Sequence, residues 1–220
     1  MQLARDGAEH FGAALQASDL EQIEQALADV PTTSPGVRLT GISALSQALS
    51  TSRAIGGIAA DRLGPTARPI RALLLNKTTD QNWALGWHQD RTIAVRERVA
   101  TPGFSNWTVK SGIQHVEPPF GLLETMLTLR VHLDPVGPTN APLLIAPGSH
   151  RLGRIAESCI AAAVARLGSL PCLAAAGDIW LYATPIVHAS ESAGEPRSRR
   201  VLQVDFSAEK LPAPLRWLGI

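Results

Sequence analysis

The chain has 220 residues, 45% of them hydrophobic and 18% charged, with a formal net charge of +1. That length suits one domain with a sizeable core, and that charge balance gives no electrostatic case for a nucleic-acid partner. No charged n-region precedes an apolar stretch and no apolar run reaches membrane-spanning length. The sequence therefore reads as a cytoplasmic protein with no membrane partner. Two cysteines, Cys159 and Cys172, are too few for a disulfide framework, and both are expected to be small buried hydrophobes in a reducing compartment.

Residues 1–30 read as an extended lead-in followed by a helix. Ser18-Asp19-Leu20-Glu21 is a capping-box pattern, and Leu20, Ile23, Ala26 and Leu27 then recur at helical spacing before Pro31. A polar, turn-rich passage over 32–40 leads to two further helices, over 41–50 and 53–63, stopped by Gly64-Pro65.

From Pro69 the character changes. Short runs at 70–75, 85–95, 125–133, 143–146, 179–187 and 201–206 are bounded by Gly, Pro, Asn or Asp, the signature of an all-β sandwich or barrel. One helix interrupts it, with Ile155, Cys159, Ile160, Ala163, Val164 and Leu167 on one face and Gly168 at its end. The chain is thus expected to be a single domain over 1–220, mainly β with flanking helices. Residues 1–66 form its mostly helical part and 67–208 its β core.

Two details of the β half bear on function. Leu127, Leu129, Val131 and Leu133 alternate with Thr128, Arg130, His132 and Asp134, so one strand face is apolar and the other polar. In an open sheet the polar face would be wet. In a closed barrel it would line the cavity and present Arg130 to an anion. The second detail is a long connection over 96–122, rich in Pro and Gly, of the kind that forms functional lids or is disordered. Its Trp107, Lys110 and His115 are either substrate contacts or ordinary anchors of the loop.

The chemistry centres on Gly86-Trp87-His88-Gln89-Asp90. In an extended strand, side chains two apart share a face, so His88 and Asp90 would project together. They supply two of the three positions of a facial triad, the set of two histidines and one carboxylate that holds non-haem iron(II). His188 is the candidate third ligand, closing a strand that begins after Gly177-Asp178. A second His-x-Asp, His132-Leu133-Asp134, is equally eligible by spacing. Beyond His188 come Ser190 and the basic run Arg197 to Arg200. An arginine there would suit the far carboxylate of a chelating co-substrate, although such a run can also be a solvated turn.

Taken together, these residues resemble the phytanoyl-CoA dioxygenase family. The resemblance rests on Asn76-Lys77, Trp87-His88-Gln89-Asp90, Asn140-Ala141-Pro142-Leu143, Pro147-Gly148-Ser149-His150, His188-Ala189-Ser190 and Arg199, eleven beyond His188. It implies a double-stranded β-helix (jelly-roll, cupin-like) core, with Fe(II), 2-oxoglutarate and O2 as cofactor and co-substrates. His88, Asp90 and His188 would be the catalytic metal ligands, and Arg199 and Ser190 would bind the C5 carboxylate of 2-oxoglutarate. Arg130 falls where many members place a co-substrate-contacting tryptophan. The same matching places His132-Leu133-Asp134 outside the ligand set and makes Pro147–His150 a structural turn. Because Asp90 is retained, oxygenation is expected rather than halogenation, for which relatives replace that carboxylate by a small residue.

The implied activity is hydroxylation of a small-molecule substrate with release of succinate and CO2. Two other classes stand beside it: a non-catalytic metal-binding jelly-roll module, and a cupin-type metal hydrolase or isomerase.

Overall fold

The computed structural model describes residues 1–31, 34–194 and 198–220. The turn-rich passage over 32–40 lies partly, and Arg197 wholly, outside the described residues. The chain runs through α1 (Leu3–Asp6), β1 (Ala8–Phe11), α2 (Ala17–Ala26), β2 (Gly36–Leu39), α3 (Ser43–Ala48) and α4 (Ala54–Leu63). There follow β3 (Arg68–Lys77), β4 (Leu85–His88), β5 (Ile93–Val95), β6 (Ser105–Lys110), β7 (Ile113–Glu117), α5 (Phe120–Glu124) and β8 (Leu127–His132). It continues with β9 (Leu143–Ile145), α6 (Glu157–Leu167), β10 (Leu170–Cys172), β11 (Ile179–Ala183), β12 (His188–Ser190) and β13 (Arg199–Ser207).

A six-stranded sheet, β1-β11-β8-β13-β3-β2, faces a four-stranded sheet, β10-β9-β12-β4, and every pairing is antiparallel. This is the mainly β jelly roll that the sequence led us to expect. The large sheet buries both of its faces. Leu127, Leu129 and Val131 of β8, with Leu202, Val204 and Phe206 of β13, pack under α2, α3 and α4 in one apolar cluster. The opposite face of the same strands turns Thr128, Arg130, His132, Gln203 and Asp205 inward, all buried. Period-2 alternation thus puts a polar lining inside the barrel and an oily face beneath the helices.

Several local expectations are corrected. The run 85–95 is two strands, because β4 pairs with β12 while β5 joins β7 and β6 in a separate three-stranded sheet. The run 179–187 stops at Ala183, where Thr184-Pro185 turns the chain and the Ile186 N–H closes on the Ala183 carbonyl at 2.9 Å. His188 therefore opens β12 in the small sheet rather than closing β11.

The connection 96–122 is ordered: β6 and β7 form a hairpin whose turn, Ser111-Gly112, takes positive φ at both residues. Phe104, Trp107 and Phe120 anchor it on Ile93 and Val116. Helix α2 is capped two residues earlier than the Ser18 pattern implies, with the Asp19 carboxylate accepting from the Gln16 N–H at 3.0 Å. Cys172 is buried but Cys159 is exposed, because α6 buries Ile160 and Ala163 and turns the preceding residue outward.

Candidate metal centre and cavity

His88 is the last residue of β4 and His188 the first of β12, and the antiparallel register sets them directly opposite each other. Their ring centroids are 4.3 Å apart. Asp90 lies two residues past the end of β4, and one ligand atom from each of the three comes within 4.8 Å of the others. Among the described residues this is the one group of three or more His, Cys, Asp or Glu that could hold a metal ion.

Both imidazoles are fixed in the same tautomer. Nδ1 of His88 donates to the Gly86 carbonyl at 2.7 Å and Nδ1 of His188 to the Ile186 carbonyl at 2.9 Å, which leaves each Nε2 lone pair free. Burial pushes His188 down to about 4, so it is neutral near pH 7 and able to ligate. Burial alone would raise Asp90, but His188, Arg71 and His88 outweigh it and hold the carboxyl below its usual range. Two neutral imidazoles and one carboxylate suit a divalent iron, so the donor set fits the cation that the family resemblance implies.

Three supports hold this centre; the sequence shows Gln89 and Ser149 only as members of motifs, Ser149 in a structural turn, and does not point to Arg71. Gln89 donates to the carbonyls of Pro185 at 2.8 Å and Gly153 at 3.1 Å, and accepts from the Ile155 N–H at 2.9 Å. It thereby ties the segment carrying His88 and Asp90 to the turn that leads into His188. Ser149, in the Pro147–His150 turn, accepts the Val187 N–H at 2.8 Å, which gives that motif its structural work. Behind Asp90, Arg71 sits 3.7 Å from its carboxylate and 2.6 Å from that of Asp205. Thr128 donates to the second Asp205 oxygen at 3.0 Å and is bonded to Thr184 at 3.1 Å.

The triad opens on a cavity of about 430 Å³ between the two sheets. Arg130, Gln203, Ser190 and Leu143 line one side of it. Arg130 reaches Gln203 only at 3.5 Å, and its Nε has no partner. Ser190 accepts from Lys77 Nζ at 2.9 Å, and Lys77 also donates to the carbonyls of Trp83 and Glu191 and lies 4.5 Å from the centre of the Trp83 ring.

Arg199 is not part of the cavity wall. It is buried on the inward face of β13, its Nη1 donates to the Ala141 carbonyl, and its Nε is unpartnered. Burial, with Arg130 nearby, lowers Arg199 to about 9, and burial with both arginines lowers Lys77 to about 8. Among the described residues no carboxylate forms an ion pair with any of these three cations.

The second His-x-Asp does not converge. His132 points inward, buried, whereas Asp134 pairs with Arg200 at 2.8 Å on the other side of the strand. Of the loop residues, Lys110 lines the cavity, Trp107 is an anchor, and His115 is buried without reaching the wall.

The fold and this site define a jelly-roll protein with a two-histidine, one-carboxylate centre. The phytanoyl-CoA dioxygenase (PhyH) family model matches residues 3–201, and the chain belongs to that family of non-haem iron oxygenases. A search of curated proteins finds no match.

Among solved structures the chain is similar to EvdMO1, at 18% identity and a TM-score of 0.66, covering 93% of this chain but only 48% of that one. It is also similar to EctD from S. alaskensis with 2-oxoglutarate and 5-hydroxyectoine, at 17% identity and a TM-score of 0.69, covering 99% of this chain and 77% of that one. The non-heme alpha ketoglutarate dependent epimerase SnoN from nogalamycin biosynthesis gives 15% identity and a TM-score of 0.64, with 93% and 77% covered. No described helix is long and apolar enough to cross a membrane.

Proposed function

We propose that this protein is an Fe(II)- and 2-oxoglutarate-dependent dioxygenase that hydroxylates a small-molecule substrate with release of succinate and CO2, working in the cytoplasm. The observation that carries the reading is the convergence of His88, Asp90 and His188 beside buried cations that lack any acid partner. His88 and His188 would present Nε2 to the iron, while the Gly86 and Ile186 carbonyls retain their Nδ1 protons. Asp90 would supply the anionic ligand, steadied by Arg71. Bound iron would supply the activation of O2, coupled to oxidative decarboxylation of 2-oxoglutarate.

The far carboxylate of 2-oxoglutarate is assigned to the basic end of the site. Arg130 and Ser190 line the cavity there, and Arg199 stands behind them on the same inward face of β13 as Gln203. Ser190 already accepts from Lys77, so its own hydroxyl proton is free for a carboxylate oxygen. A dicarboxylate would neutralise cations that are otherwise costly to bury. A cupin-type hydrolase would have no use for that end of the site, and a non-catalytic module would have no need of turnover. The test is succinate formation from 2-oxoglutarate by the iron-loaded protein in air. Wild type should convert it, His88→Ala and Asp90→Ala should not, and full activity in either variant would end the assignment of the triad.

A further inference from the structure

Across the cavity from the basic end lies a second group of cations, and their partners distinguish them. Arg38, Arg71, Arg91, Lys110 and Arg130 line the wall, against one carboxylate, Asp90. Arg71 is neutralised by Asp205 at 2.6 Å, and Arg91 by Glu157 at 3.2 Å with a further bond to the Ile155 carbonyl. Arg130 belongs to the co-substrate end. Arg38 and Lys110 remain. Among the described residues neither forms an ion pair.

Their placement is set by the fold. Arg38 pairs with Leu73 in the register of edge strand β2 on β3, so it shares the inward face with Leu73 and Arg71. Lys110 ends β6 at the tip of the β6–β7 hairpin, and Arg38 Nη1 donates to Ser111 in that tip at 3.2 Å. The hairpin tip and the sheet edge thus meet over the cavity mouth. Among the described residues that hydroxyl is the sole hydrogen-bond partner of the Arg38 side chain, whose Nε is buried and bare, and the Lys110 ammonium makes no hydrogen bond. Arg38 is half-buried and Lys110 exposed at the mouth. Partial desolvation and their cationic neighbours weaken the hold of both on their protons, and Asp90 opposes this on Lys110. In the proposed function the charge of Asp90 is engaged by iron. Beside Arg38 the wall is apolar at Leu73, its cross-strand partner, whereas Trp83 and Leu85 lie at the co-substrate end with Lys77 and Ser190.

We infer that the primary substrate is a small amphipathic acid. Its carboxylate or phosphate docks between Arg38 and Lys110, and its carbon skeleton lies over Leu73 toward Asp90 and the metal. The inference rests on the reading of the site as a 2-oxoglutarate-dependent oxygenase, and it names the substrate class for that site. The volume sets the size, because a cavity of about 430 Å³ has to hold 2-oxoglutarate as well.

The experiment is anaerobic calorimetry on iron-loaded protein with and without 2-oxoglutarate. Hexanoate, hexyl phosphate and the neutral hexanamide serve as probes. At least one anion should bind about tenfold or more tightly than the amide, the worth of one charge-assisted hydrogen bond. Whether hexanoate or hexyl phosphate binds better identifies the headgroup. Lys110→Gln and Arg38→Gln should each remove most of the preference, and Lys110→Arg should keep it.

Equal binding of amide and anions, no binding of any probe, or an undiminished preference in both glutamine variants would overturn the inference. So would competition between the anion and 2-oxoglutarate, which would put the anion at the wrong end of the cavity. Failure of 2-oxoglutarate itself to bind shows as a missing heat in its own titration. That result would sink the co-substrate assignment while the probe series still reports on Arg38 and Lys110.

Discussion

Two inward-facing cation groups on the large sheet make an instructive pair. Arg71 is held by Asp205 and Asp90, and Thr128 fixes Asp205 in turn. Arg130, Lys77 and Arg199 share the same polar lining but, among the described residues, have carbonyls, a hydroxyl, an amide and the Trp83 ring as partners and no carboxylate. A buried cation that finds its counter-charge inside the fold is part of the structure, whereas one that does not is waiting for a ligand. The first group lies behind the triad, and the second is the one to which the proposed function assigns the far carboxylate of 2-oxoglutarate.

The sharpest way to break this contrast is to neutralise one member of each group. Arg71→Met leaves buried Asp205 without its counter-charge and removes the cation beside half-buried Asp90. It should cost about 3–5 kcal/mol of stability, the usual effect of removing one partner of a buried pair. Urea unfolding of the metal-free protein checks it, and a loss below about 1 kcal/mol would make Arg71 dispensable.

Arg199→Met removes a buried charge that has no acid partner, so the metal-free protein should hold its stability or gain about 1–3 kcal/mol. If both variants lost stability equally, the contrast between the groups would be empty.

A smaller effect comes from His132, which sits within the second group, in the register between Arg130 and Arg199, with neither ring nitrogen partnered. Burial, followed by Arg130 and Arg199, pushes it down to about 3, while Asp178 opposes and His10 adds to the lowering. The unfolded chain therefore takes up a proton first as the pH falls. The stability that the neutral ring contributes is complete above about pH 6.5 and lost progressively toward pH 3. His132→Phe should flatten the stability curve across that window. An unchanged slope would locate the acid sensitivity elsewhere.

What could be read from the sequence was short-range. His88 and Asp90 are two residues apart, the alternation over 127–134 set Arg130 inward, and His188 with Arg199 followed from motif order. The supports escaped because their partners are distant in the chain. Arg71 and Asp205 are 134 residues apart, and Gln89 reaches Pro185 across 96. Arg38 lies in a four-residue edge strand whose alternation is too brief to register, and only its pairing with β3 shows which way it faces. β12 is three residues long, so His188 was read as the end of the strand before it. The hairpin over 105–117 is hidden in the sequence because its turn uses Ser111 at positive φ and its first strand, β6, is mostly exposed.

The central claim is that the basic end of the cavity receives 2-oxoglutarate next to iron held by His88, Asp90 and His188. Anaerobic difference absorption on protein loaded with Fe(II) and 2-oxoglutarate tests it most directly, with Arg199→Met measured alongside. A weak visible metal-to-ligand charge-transfer band in wild type, requiring far more co-substrate to saturate in the variant, is the expected result. An absent band with iron demonstrably bound, or equal saturation in wild type and Arg199→Met, would contradict it.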